Sequence, residues 1–225
     1  MTKGMSQIDQ TEPTISDICT ACGMCCDGTL FSYVEITQEE ENLLADNGFE
    51  VSINKDKEHQ FEQPCPKLIS GCCSFYQSRP QSCRAYSCYL IQEVSDGDIS
   101  AHQALDTVAD LQAQIQWFFD HLDDVFRDPT PVTTAPAAEI HYNWLENGDY
   151  PTNVRDVIYD RLTTLQAALD DRALTPTEAE FLDKVNTFLT TISEHIHPHD
   201  LMEDLTDTLK KLEKLKKQKP EKTKN

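Results

Sequence analysis

The chain has 225 residues, 39% of them hydrophobic, and a formal net charge of −20. That length suits one large domain or two small ones, and the absence of any run of 18 apolar residues argues against a transmembrane segment. The charge is segregated: residues 210–225 carry eight lysines and two glutamates, and the strongly acidic remainder repels nucleic acid.

Taken in chain order, residues 1–14 are polar and are expected to form a disordered arm. A cysteine-rich loop follows. Leu30 to Ile36 reads as a short strand, and Thr37-Gln38-Glu39-Glu40 as a capping box that opens a helix through about Ala45. Phe49 to Ile53 alternates as a strand does, and another short strand is expected before Cys65. From about Ser100 the period changes. Leu105, Val108, Leu111, Ile115, Phe118, Leu122 and Phe126 recur every three or four residues, which places one apolar stripe on a long helix ended by the proline-rich stretch Pro129 to Pro136. Val154, Ile158, Leu162, Leu165 and Leu169 mark a second helix. Thr175-Pro176-Thr177-Glu178 starts a third with a cap, a first-turn proline and a capping glutamate. A fourth begins at Asp200 and carries Leu201, Leu205, Leu209, Leu212 and Leu215. The fold class expected is α+β, mainly helical. A small cysteine-rich α+β domain over residues 15–95 precedes an amphipathic helical region over 98–216, and residues 217–225 form a basic disordered tail.

All nine cysteines fall between Cys19 and Cys88. Cys19, Cys22 and Cys25 have Cys-x-x-Cys-x-x-Cys spacing, which lets a short loop bring three thiolates together, and Cys65-Pro66 is a candidate for a remote fourth ligand. A disulfide framework is the competing reading. Residues 1–18 lack a basic start followed by an apolar core, so no secretory signal is visible and a cytoplasmic location is expected. In that compartment thiols stay reduced, and clustered cysteines bind metal or do redox chemistry more often than they form bridges.

Cys65-Pro66-Lys67-Leu68 and Cys73-Ser74-Phe75-Tyr76-Gln77-Ser78-Arg79-Pro80, followed by Cys83-Arg84 and Cys88, complete a pattern with the first run and its adjacent Cys26. This pattern resembles the cysteine-cluster family with a zinc- or iron-chelating CxxCxxCC domain, which includes relatives of the flagellin lysine N-methylase. The resemblance covers roughly residues 15 to 95 and departs from the family at Ser87, where a proline is usual. It implies eight metal ligands: Cys19, Cys22, Cys25, Cys26, Cys65, Cys73, Cys83 and Cys88. Cys72 is extra. A thiolate-bound centre carries negative charge, so Arg79 and Arg84 are candidates to donate hydrogen bonds to sulfur or to offset that charge, and the alternative is surface pairing with carboxylates. Tyr76 and Tyr86 are candidates to pack beside the centre and exclude water.

The metal is expected to be iron, as an iron–sulfur cluster, or zinc. The function expected is an accessory or redox module. The alternatives are an enzyme related to the lysine methylases and a structural zinc scaffold that presents the helices to a protein partner. His195, His197 and His199 are a further candidate ligand set, though they are also expected as solvated groups near a helix end. Asp120, His121, Asp123 and Asp124 read as the solvent face of an acidic helix. The sequence contains no Gly-x-Gly-x-x-Gly, P-loop or Gly-x-Ser-x-Gly motif, so no ordinary nucleotide or hydrolase site is visible.

Overall fold

The computed structural model describes residues 12–121, 154–168, 173–197 and 203–218. It is a mainly helical α+β arrangement in which a small sheet and a two-residue-strand hairpin sit beside packed helices.

The chain enters on α1 (Ile15–Cys22), where a cysteine loop was expected. Thr14 and Asp17 form a capping box at its start, and Gly23 ends it with a left-handed φ of 68°, a conformation that costs glycine little. Strand β1 (Tyr33–Ile36) is shorter than the expected run from Leu30 because Leu30 is drawn into the helical core instead. Helix α2 (Gln38–Asp46) begins where its capping box predicts, with the Thr37 N–H donating to Glu40 Oε2 at 3.0 Å. Strand β2 (Val51–Ile53) leaves Phe49 outside it, buried in a small core. Strand β3 (His59–Glu62), the one expected before Cys65, is central: the sheet order is β1-β3-β2, antiparallel throughout, with Val34 and Val51 both opposite Phe61. The hairpin of β4 (Leu68–Ile69) and β5 (Cys72–Cys73) pairs Leu68 with Cys73. Two helices with no counterpart in the sequence reading follow, α3 (Gln81–Ala85) and α4 (Tyr89–Asp96).

The apolar stripes beyond residue 100 behave as periodicity dictates. Helix α5 (Ala101–Asp120) buries Val108, Leu111, Ile115 and Phe118; Leu122, Phe126 and the proline-rich stretch lie outside the described residues. Helix α6 (Val154–Ala168) buries Val154, Val157, Ile158, Leu162 and Leu165, and Leu169 lies outside. Helix α7 (Pro176–His195) starts on the expected Thr175–Glu178 capping box, with Pro176 in its first turn. Helix α8 (Glu203–Gln218) buries Leu205, Leu209 and Leu212; Asp200 and Leu201 lie outside, as do residues 219–225 of the expected tail and nearly all of the expected arm.

Two cores result. The larger holds residues of α5 to α8 together with Ile18, Met24, Leu30, Leu90 and Ile91 from the cysteine region. The smaller contains four buried residues under the sheet, Ile36, Leu44, Phe49 and Phe61. Among the described residues, no helix is long and apolar enough to cross a membrane.

Candidate metal centre

Cys19 and Cys22 are three residues apart on α1, so both fall on one helical face, and the Gly23 turn carries Met24 into the core and brings Cys25 and Cys26 around behind them. Asn and Gln amides hold loops of this kind by capping carbonyls. Here the Gln112 side chain on α5 donates to the Cys22 carbonyl at 2.6 Å, and the Gln63 side chain donates to the Cys25 carbonyl at 3.2 Å. Cys25 and Cys26 sulfurs stand 3.7 Å apart. The Cys65 N–H donates to the Cys26 carbonyl at 2.8 Å, which fixes the Cys65-Pro66 step against the first run. Cys73 lies on β5 and Cys83 on α3, which is tied to the sheet where Ser82 Oγ donates to the Glu35 carbonyl at 2.6 Å. Cys88 caps the start of α4, and the next residue, Tyr89, donates its N–H to the Ile196 carbonyl beyond α7.

These sulfurs act on one another electrostatically. Burial pushes the Cys22 thiol up to about 12, with Cys88 and Cys19 adding to the shift. Burial likewise pushes Cys83 up to about 12, and Cys26, Cys65 and Cys73 add to it. Cys19, Cys65 and Cys88 are also raised, chiefly by burial. Cys25 and Cys26 form a tightly coupled pair sharing one hydrogen bond: Cys25 is held as the thiol, while the Cys26 thiolate is favoured by accepting that bond. Cys72 is exposed on the hairpin.

The two arginines divide. Arg79 lies close enough to favour the charged forms of Cys19, Cys26 and Cys83, and its guanidinium is 3.8 Å from the Tyr76 ring centroid. Arg84 is exposed and donates instead to the Arg79 carbonyl at 2.6 Å, so it braces the backbone that carries Arg79. Tyr76 is 53% exposed beneath Arg79. Tyr86 is the aromatic set among the sulfurs: its ring meets Phe31 edge-on at 5.0 Å, its phenol is raised by burial and then by Cys88, Cys25, Cys22 and Cys19, and its buried hydroxyl has no hydrogen-bond partner.

Among the described residues, no three His, Cys, Asp or Glu side chains already stand in ion-holding geometry. The chemistry of the donors nevertheless fits a soft metal, since eight thiols share one region and the buried Tyr86 hydroxyl among them has no hydrogen-bond partner. A family model described as "CxxCxxCC: Putative zinc- or iron-chelating domain" matches residues 18–107. These residues are a CxxCxxCC domain. No curated protein and no solved structure matches the chain. The CxxCxxCC domain covers about two fifths of the chain and ends inside α5.

Sequence reasoning passed over Gln63, Gln112 and Asp27. Asp27 is half-buried beside Cys22 and Cys26, and burial raises its carboxyl. None of the three belongs to a motif, and only the tertiary contact marks them. Of the histidine set, His195 closes α7, His197 follows it, and His199 lies outside the described residues. His121 ends α5, stacked on Trp117 at 4.3 Å with Nδ1 2.8 Å from the Trp117 carbonyl, an end-of-helix role. Asp123 and Asp124 lie outside the described residues. A polar cavity of about 300 Å³ opens near the centre, lined in part by Gln60, Glu62, Gln63 and Asp156.

Proposed function

We propose that this protein is a metal-binding accessory or redox module whose thiolates hold iron as an iron–sulfur cluster. The observation that supports this most is the neighbourhood of Cys19, Cys22 and Cys25 with the remote Cys88. Three local thiols joined by one distant thiol is the ligand pattern of cubane clusters in ferredoxin-type runs. When bound, such a cluster supplies one-electron chemistry. The chain's own residues supply the rest. Arg79 offsets thiolate charge, the Tyr86 hydroxyl, without a partner beside the sulfurs, would be available to donate to a metal-bound thiolate, and Phe31 and the larger core limit water on one side. Residues 15–95 form the metal domain, and the helices of 98–216 hold it. A protein partner and a cytoplasmic setting complete this reading.

The second reading is a structural zinc scaffold. The small core under the sheet favours it, because four buried residues are too few to stabilise the strands and hairpin without a staple. Protein purified without oxygen separates the two readings. The iron reading predicts brown protein with broad absorption near about 400 nm, acid-labile sulfide, and bleaching by dithionite. Colourless, sulfide-free protein containing zinc would overturn it in favour of the scaffold.

A further inference from the structure

We propose that the eight thiols are divided into two adjoining four-thiol metal sites, Cys19, Cys22, Cys25 and Cys88 in one and Cys26, Cys65, Cys73 and Cys83 in the other, with the Cys25–Cys26 peptide as the boundary. This rests on the metal-binding reading above and deepens it by assigning each thiol to a site.

The two cores carry the argument. Cys22, Cys25 and Cys88 pack against the larger core that the helices share with α1 and α4, whereas Cys65 and Cys83 pack against the separate small core under the sheet. Each set is then completed by local backbone. Cys19 lies one turn before Cys22 on the same helical face. Cys26, adjacent to Cys25, is the one of the two whose backbone is tied directly to Cys65, since its carbonyl receives the Cys65 N–H at 2.8 Å. The Leu68 N–H donates back to the Cys65 carbonyl at 3.0 Å, and the β4–β5 pairing puts Cys73 directly across from Leu68. Cys65 and Cys73 are thereby brought to the same end of the hairpin, and α3 delivers Cys83 from its attachment to β1.

The proximities among the thiols link members of each set, and the two sets meet at Cys25 and Cys26. Cys19, Cys22 and Cys25 act on one another, and Cys88 acts on the first two. Cys65 feels Cys26 and Cys73, and Cys83 feels Cys26, Cys65 and Cys73. Cys26 is the one thiol that crosses, reaching Cys25 and Cys19. The sites are therefore neighbours, and Arg79, close to Cys19, Cys26 and Cys83, is positioned to offset the charge of both. The remote partner of the Cys-x-x-Cys-x-x-Cys run is thus Cys88, and Cys65-Pro66 belongs to the second site.

Cobalt(II), a coloured probe of tetrahedral thiolate sites, tests this on the full chain stripped of metal and kept reduced. About two cobalt ions per chain are expected, with thiolate charge-transfer absorption. The within-set doubles Cys19→Ser/Cys88→Ser and Cys65→Ser/Cys83→Ser should each keep about half of the cobalt, while the cross-set double Cys83→Ser/Cys88→Ser should lose most of it. A second measurement needs no variant: wild-type chain given one equivalent of cobalt is alkylated and its cysteines are mapped by mass. Protection shared by the four thiols of one set, ahead of the other four, supports the division; even protection of all eight overturns it. Equal loss of cobalt in all three doubles, or one ion per chain in the wild type, also overturns the division while leaving metal binding intact. A wild-type chain that takes up no cobalt overturns the metal reading itself.

Discussion

Met24 has no exposed surface and lies between Cys22 and Cys25 in sequence, buried in the same core as Val108, Leu111 and Phe118 of α5. Its carbonyl also accepts the Leu30 N–H at 3.0 Å, so the turn that follows α1 closes over this side chain. Met24→Ala should therefore weaken the helical core and loosen two ligands at once. Removing a fully buried methionine side chain costs about 2–5 kcal/mol, depending on how far the site collapses. With a central cost of about 3 kcal/mol, the melting temperature of a chain this long should fall by roughly 6–12 °C. Met24→Leu conserves volume and should cost less than about 1.5 kcal/mol. Melting of metal-loaded protein, followed by far-ultraviolet circular dichroism, gives the first quantity, and the rate of metal transfer to an excess of coloured chelator gives the second. The alanine variant should melt earlier and release metal faster. A melting temperature near the parent's would show that the turn is not anchored there, and a lower one with unchanged metal release would show that core and centre are uncoupled.

Three further outcomes follow from the same structure. Glu178 is 2% exposed, faces the Arg161 guanidinium at 3.1 Å and accepts the Thr175 N–H at 2.8 Å, so Glu178→Ala should cost about 3–5 kcal/mol in urea unfolding; a loss below about 1 kcal/mol would contradict the pairing. Burial raises the Cys22 and Cys83 thiols to about 12 in the folded chain, above the ordinary thiol value of 9.0. Their contribution to the metal-free protein is thus fully present below about pH 9 and lost as pH rises through about 12, and urea midpoints should fall over that window more in the parent than in a Cys22→Ser/Cys83→Ser reference. Parallel midpoints in the two proteins would refute the shifts. Cys72→Ser should leave metal content within measurement error of the parent, because that thiol is exposed on the hairpin; a drop as large as that of Cys83→Ser would reassign the ligands.

What the sequence made legible is what repeats or caps. The stripe of Val108, Leu111, Ile115 and Phe118 and the Thr175–Glu178 box fixed α5 and α7 because each residue's role depends on neighbours within one or two turns. Helix α1 was hidden for the opposite reason. Besides cysteines its eight residues offer only Ile15, Ile18 and Ala21 as apolar positions, its threonine and isoleucines have modest helical preference, and Ile18 is held by a core assembled largely from helices far along the chain, α4 to α8. Helices α3 and α4 were too short for a period to show, and their cysteines drew attention as ligands rather than as helix positions. The eight candidate ligands were named from spacing and resemblance, yet spacing could not say that Cys88 lies with Cys19 and Cys22 while Cys65 lies with Cys73 and Cys83. That grouping depends on the hairpin register and on which of two cores each loop joins. The same holds for Arg79 and Arg84, alike in sequence context, of which Arg79 lies near enough to act on the thiols while Arg84 donates to the Arg79 carbonyl.

The central claim, an all-thiolate metal centre built from this cysteine set, is tested most directly by X-ray absorption at the iron and zinc edges of protein purified without oxygen. The account predicts an absorbing metal, iron by preference, whose first shell is entirely sulfur at about 2.3 Å, with a nearby metal scatterer if the iron is in a sulfide-bridged cluster. A first shell dominated by nitrogen or oxygen at about 2.0–2.1 Å would contradict it.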